Sequence, residues 1–390
     1  MGASALTIVM PLKGRHLHTL RFLWHANLCR LPWPILVADG QVHPTVARLL
    51  EDKSTFPNLT IDYVRYPDDA SFAHYWRKMA DAVGRVRTPY VAIADNDDFL
   101  MPQGVARCIA FLDDHPDYVC CGGGIGGFEL HTPRGAYLPS VLGRVNMLRF
   151  RHRPRDESMD IANGTALDRA IAGLPTTWIY YAVTRTEMAA AFWRDVEQFN
   201  FSETHLIEYF QSMRYLVAGK AKSDRTHISY MRQYRTSLGG FFLGKDWAHH
   251  LLNSRYMLGF EAVVDRISTL AAAADSADRA TVEKRLREAC ADFMLRPFLI
   301  KEFGPRSAMV RLKYKLTEDR PFLGTWLKLA RHTLRDERAG IRRRLAAEGA
   351  DEAYLVAFDQ ELKAIDATVA DGGFAQFLRR TSPDLIADAN

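Results

Sequence analysis

Between Leu6 and Cys121 the chain alternates two patterns of apolar and polar positions. Short, nearly continuous apolar runs appear at LTIVM, PILVA, LTIDYV, YVAIA and YVCC. They are rich in the β-branched and aromatic residues that suit strands buried on both faces. Between them, apolar positions return at helical spacing over Leu17–Leu28, Thr45–Leu50, Phe72–Val83 and Gly104–Leu112. This alternation predicts an α/β fold of right-handed βαβ units, with helices on both faces of a parallel sheet. Ligands of such sheets sit beyond the carboxyl ends of the strands. The polar residues after each run are therefore the candidates: Lys13 and Arg15, Asp39 and Gly40, Pro67 to Asp69, and Asp95 to Asp98.

Further along, the pattern loosens into glycine, proline and arginine from Gly122 to Arg155, which reads as loops and short strands. A helix is expected near Ala166–Ala172, a strand at TTWIYYAVT, helices at Arg185–Val196 and His205–Ala218, and a strand at HISYM. Beyond about Lys245 the chain reads as helices almost throughout. The spacing thus divides it into an α/β domain over 1–244 and a helical region over 245–390.

Composition narrows the class. The 390 residues are 48% hydrophobic and 25% charged, as in a soluble globular protein. No apolar stretch approaches the roughly 20 residues of a membrane span, and the first residues show no basic leader before their apolar part. Five cysteines without regular spacing argue for reduced thiols and a cytoplasmic setting. Cys120 and Cys121 are adjacent in a strand-like run, so they point to opposite faces. The net charge of +5 is concentrated in RLKYK, KLARH, RDER and IRRR between Arg306 and Arg344. A solvated helical face accounts for such a run better than nucleic-acid binding does.

Two familiar signatures fail on context. CGGGIGG at Cys121–Gly127 contains GxGxxG, but FELHTP follows it as strand and turn, where a dinucleotide site needs a helix N-terminus. No GxxxxGK[ST] occurs. The acidic turn in YVAIADNDDFLMP is more informative. Asp95, Asp97 and Asp98 follow a buried run, and hard divalent cations prefer such carboxylate oxygens. An Asx-type turn that starts the helix after Pro102 is the competing account.

TIVMPLKGR, VADGQ and IADNDDFLMP, in this order, resemble the nucleotide-sugar half of a GT-A fold glycosyltransferase of the family 2 type. SETHLIEYFQSMRYLVAGKA and SYMRQYRTS resemble that family's later blocks, so the likeness covers about Leu6–Ser237. The resemblance implies a Rossmann-like nucleotide-sugar domain on a mixed, mainly parallel sheet. It implies Mn²⁺ or Mg²⁺ held by Asp97 and Asp95, with Asp95 and Asn96 also facing the nucleotide, and Asp39 on the base ring. Pro11 and Arg15 line the nucleotide. Lys78 reaches either the nucleotide or, as its helical position favours, only solvent. Glu208 matches the catalytic base, with Glu203 in reserve. Where relatives carry a histidine in the closing turn, this chain has Arg232, Gln233, Tyr234 and Arg235. Arg232 and Arg235 could clamp phosphates directly. His227 reads as structural, and His249 and His250 carry no role. Trp178, Tyr180 and Tyr181 are either a sugar-stacking floor or core.

The expected chemistry is transfer of a sugar from a nucleoside-diphosphate sugar to an acceptor hydroxyl, with inversion. The resembled family's usual context is bacterial surface glycan or polysaccharide synthesis, with a glycan or lipid-linked acceptor. Contact of the C-terminal helices with the inner face of the membrane, or a homodimer, stays open. The rivals are a nucleotidyltransferase, disfavoured by the single glycine in PLKGRHLH, and a non-catalytic basic binding protein.

Overall fold

The computed structural model describes residues 5–131, 138, 141–150, 160–176, 178–202, 205–233, 254–303, 338–370 and 372–387. Its centre is a nine-stranded sheet. The strands are β1 (Leu6–Leu12), β2 (Ile35–Asp39), β3 (Ile61–Arg65), β4 (Tyr90–Ile93), β5 (Phe99–Leu100), β6 (Tyr118–His131), β7 (Arg144–Phe150), β8 (Val183–Arg185) and β9 (Lys220–Gln233). Their order is β3-β2-β1-β4-β8-β6-β9-β5, with β7 paired to β6. The first four strands are parallel to one another. Beyond β4 the sheet is mixed: β8 is antiparallel to β4 and β6, while β6 and β9 are parallel.

The βαβ half forms as its spacing predicts. Its helices are α1 (His16–Leu28), α2 (Pro44–Glu51), α3 (Phe72–Gly84) and α4 (Pro102–Asp114). Proline stands at the start of α2 and α4, where its missing N–H costs nothing. α5 (Ala166–Gly173) starts with a capping box between Thr165 and Asp168. It is followed by α6 (Thr186–Phe199) and α7 (His205–Ala218).

Two expectations are corrected. TTWIYYAVT is no single strand: Trp178–Tyr181 forms one 3-10 turn and only Val183–Arg185 pairs in the sheet. The glycine run, expected among loops and short strands, is the middle of the 14-residue strand β6, and its glycines have a packing reason. A Cβ on Gly123 would lie 2.6 Å from the His227 ring, and one on Gly126 would lie 2.2 Å from Met231 Sδ. Bare backbone lets β9 lie against β6. Cys120 and Cys121 do face opposite ways, into the cores on the two sides of the sheet.

The helical region belongs to those same cores. α8 (Ser254–Asp275) and α9 (Arg279–Phe303) contribute Tyr256, Val264, Ile267, Leu286 and Cys290 to the core that α3, α6 and α7 build on one face. α10 (Arg338–Ala347), α11 (Glu352–Val369), α12 (Gly373–Thr381) and α13 (Pro383–Ala387) follow. Phe374, Phe377 and Leu378 of α12 join the core beneath α1 and α2. Ile341, Leu345, Phe358 and Leu362 pack on Phe99, Phe128 and Met231. Within the described end of the basic run, Arg338 meets Asp366, and Arg342 meets Asp359 and Glu352. The boundary expected at 244/245 lies outside the described residues. Among the described residues, no helix is long and apolar enough to cross a membrane.

Candidate functional site

The strand order 3-2-1-4 reverses direction between β1 and β4, and a crevice at the carboxyl ends follows from that reversal. β1 pairs with β4 only as far as Val9 opposite Ile93, yet continues beside β2 to Leu12 opposite Asp39. Pro11 lies in this overhang, where it has no N–H to leave unpaired. The loop after β1 and the acidic turn after β4 therefore face each other.

They meet directly. Arg15 donates to Asp97 Oδ2 at 2.7 Å. From the buried side, Arg21 of α1 donates to the Asp97 carbonyl at 2.6 Å and to that of Val141 at 3.2 Å. Its guanidinium also lies 5.1 Å from the Phe99 ring centre. Burial lowers the pKa of Arg21 to about 10, so it stays charged at neutral pH. A single arginine in an apolar helix carries no sequence signal for this role.

The rest of the turn is held from β9 and from the 3-10 turn. The Asp95 N–H donates to the Tyr230 hydroxyl at 2.9 Å, and the Tyr181 hydroxyl lies 3.4 Å from Asp95 Oδ2. Asp98 accepts from the Gln233 N–H at 2.7 Å, with Arg232 Nε 4.0 Å away. The Arg232 guanidinium sits 4.9 Å from the Tyr181 ring centre. Burial, then the charge of Asp97, raises the pKa of Asp95 to about 6, against the pull of Arg232. The same two causes push Asp98 well above the carboxylate range. Asp98 thus faces inward, in surroundings that disfavour its charged form.

Glu208, in the first turn of α7, is open to solvent. Desolvation nevertheless raises its pKa, with Arg232 opposing and Asp95 adding to the shift. Glu208 lies near enough to Arg232 and Asp95 to feel both charges, and Tyr180 and Tyr181 feel the charges of both Glu208 and Asp95. Trp178, by contrast, packs against Gly122, where an added Cβ would meet its ring at 3.0 Å.

Other candidates have partners within the protein. Asp39 is fully buried, accepting from the Gln41 N–H at 2.9 Å and the Tyr63 hydroxyl at 2.6 Å. Asn96 is buried, donating to Thr19 Oγ1 at 3.0 Å. Lys78 corrects the expectation of a solvated face: it is 2% exposed, pairs with Asp69 and donates to the Leu12 carbonyl at 3.1 Å. His227 is buried with Nε2 3.3 Å from Cys108 Sγ, and burial lowers its pKa to about 4. Arg235, Glu203, His249 and His250 lie outside the described residues.

Among the described residues, no three metal-ligating side chains are gathered into one group. The chemistry of Asp95 and Asp97 nonetheless fits a hard divalent cation whose remaining ligands come from a bound anion. Oδ2 of Asp97 at present carries Arg15.

No family model and no curated protein matches the chain. Solved structures that it is similar to include S. aureus TarS 1–349, with 13% identity, a TM-score of 0.43, and coverage of 94% of this chain and 90% of that one. The same TarS segment in complex with UDP-GlcNAc gives 12%, 0.44, and the same coverages. In complex with UDP it gives 13%, 0.41, and again 94% and 90%.

Proposed function

We propose that the crevice binds a nucleoside-diphosphate sugar and transfers its sugar, with inversion, to an acceptor hydroxyl. The observation that carries this reading is the convergence of Asp95, Asp97, Arg15, Arg232 and Glu208 on the reversal point of the sheet, from four separate chain segments. The ordered blocks that resemble family 2 glycosyltransferases point the same way. Arg15 and Arg232 are the cations suited to the two phosphates, since a guanidinium meets an oxyanion with two parallel N–H donors.

Asp95 and Asp97 would hold Mn²⁺ or Mg²⁺, which supplies electrostatic stabilisation of the departing diphosphate. Glu208 faces the same space and accepts the proton of the attacking hydroxyl. Its raised pKa, caused by desolvation, makes it a stronger base than a free carboxylate. Tyr180 and Tyr181 offer ring faces for the sugar. The acceptor is a glycan or lipid-linked sugar, in keeping with bacterial surface polysaccharide synthesis.

The test is calorimetry with UDP, GDP and ADP, each with and without Mn²⁺. One nucleotide is expected to bind selectively, and Asp97→Ala is expected to abolish the metal-dependent part. With the matching nucleotide sugar, Glu208→Gln should lower turnover by about 10²–10⁴-fold while leaving nucleotide binding intact. Binding of no nucleoside diphosphate by the wild-type protein would remove this reading.

A further inference from the structure

The ion pair between Arg15 and Asp97 supports a step that deepens the proposed function and rests on it. Gly14 and Arg15 both adopt left-handed backbone, with φ of 61° and 48°. This sharp turn at the end of β1 aims the Arg15 side chain back across the crevice. The Arg15 side chain is 32% exposed and that of Asp97 4%. The guanidinium therefore lies between the carboxylate and solvent. Arg15 is the solvent-side partner of this pair.

The two partners are not equally able to move. Asp97 is pinned by the buried Arg21 at its carbonyl, and its neighbours Asn96 and Asp98 are tied to Thr19 and Gln233. Arg15 is a long side chain on a loop, and its guanidinium donates to Asp97. A divalent ion at Asp97 would stand next to a guanidinium and be repelled by it. A diphosphate offers that guanidinium more negative charge and two-pronged geometry than one shared carboxylate does.

We propose that Arg15 is a resident counter-cation exchanged on donor binding. In the nucleotide-free protein it covers the Asp97 carboxylate. When a nucleoside diphosphate enters, it transfers to a phosphate oxygen and opens Asp97 to a divalent cation. Nucleotide and metal then bind with positive coupling, and the metal binds poorly alone.

Calorimetric titration of the full chain with MnCl₂ alone, UDP alone and the two together tests this. In the wild type, Mn²⁺ is expected to tighten UDP binding by about tenfold, and UDP to tighten Mn²⁺ binding by the same factor. Arg15→Gln should bind Mn²⁺ alone about tenfold more tightly than the wild type and show little coupling. Asp97→Asn placed in that variant should erase the gain. Arg15→Lys keeps a cation and should behave as the wild type does toward Mn²⁺ alone, with thermal melts confirming that the variants are folded.

Equal Mn²⁺ affinity of the wild type with and without UDP overturns the exchange, and this arm needs no variant. So does an unchanged or weakened Mn²⁺ affinity in Arg15→Gln. If UDP binds but either of these results appears, only the exchange fails. If neither UDP nor any other nucleoside diphosphate binds the wild type, the proposed function fails and takes the exchange with it.

Discussion

Lys78 stands on an amphipathic helix at a position that spacing assigns to water, and tertiary packing puts it in the interior. Its ammonium pairs with Asp69, bonds the Leu12 carbonyl and lies 5.0 Å from the Tyr75 ring centre. Burial lowers the pKa of Lys78 and raises that of Asp69, each opposed by the partner's charge. The pair ties α3 to the end of β1, directly beneath the crevice. Removing one member of a buried ion pair strands the other charge, at a cost of about 3–5 kcal/mol. Lys78→Met should lose that much in urea unfolding, and adding Asp69→Asn should recover a large part of it. A loss under about 1 kcal/mol would show the pair to be solvated. Arg15, Asp95 and Asp97 stand out in the sequence because each falls in the turn just after a strand-like run. Asp39 and Asn96 follow strands too, but their carboxylate and amide are spent on Tyr63, Gln41 and Thr19.

At the scale of elements, small residues decide how closely neighbours approach. α4 crosses β9 at Gly104, where a Cβ would lie 1.9 Å from the Ile228 carbonyl oxygen. Helix propensity alone makes Gly104→Ala stabilising by about 1 kcal/mol. The contact reverses the sign: the helix must shift off the strand, and overpacking of this kind costs about 1–3 kcal/mol. Guanidinium denaturation of Gly104→Ala should show a net loss, and a net gain would mean that α4 does not touch β9. The same close approach explains why CGGGIGG reads as loops and short strands and folds within one long strand. Glycine lowers strand propensity locally, and only the partner strand reveals that side chains have no room there. Likewise WIYY has strand-forming residues, but Tyr181 turns toward Asp95 and Arg232 instead of pairing in the sheet.

Across the whole molecule, the C-terminal helices α10 to α13 close cores built by the strands and helices of the α/β part. Glu361 of α11 shows the electrostatic side of that closure. Its Oε1 accepts from the Gln103 N–H at 2.9 Å at the start of α4, and burial raises its pKa from 4.5 to about 7. Between those values the folded chain keeps a proton that the unfolded chain has lost. The contribution of this group is therefore full below pH 4.5 and is lost as pH rises through 7. Glu361→Gln keeps an oxygen for Gln103 and never ionises. By scanning calorimetry its melting temperature should exceed that of the wild type at about pH 8, with the gap closing toward about pH 5. Parallel profiles would show that Glu361 does not titrate in the docked helix.

Periodicity is a local property, so the succession of strands and helices through Leu112, the acidic turn after β4 and the helical character of the last third could be read from residue order. Which strands lie side by side could not. Arg15 and Asp97 are 82 positions apart, and Asp95 and Tyr230 are 135 apart. Nothing in either neighbourhood specifies the other, because such contacts depend on where loop closure and core packing bring the chain back. Residue order therefore named the carboxylates, and the tertiary structure decided which cations cover them.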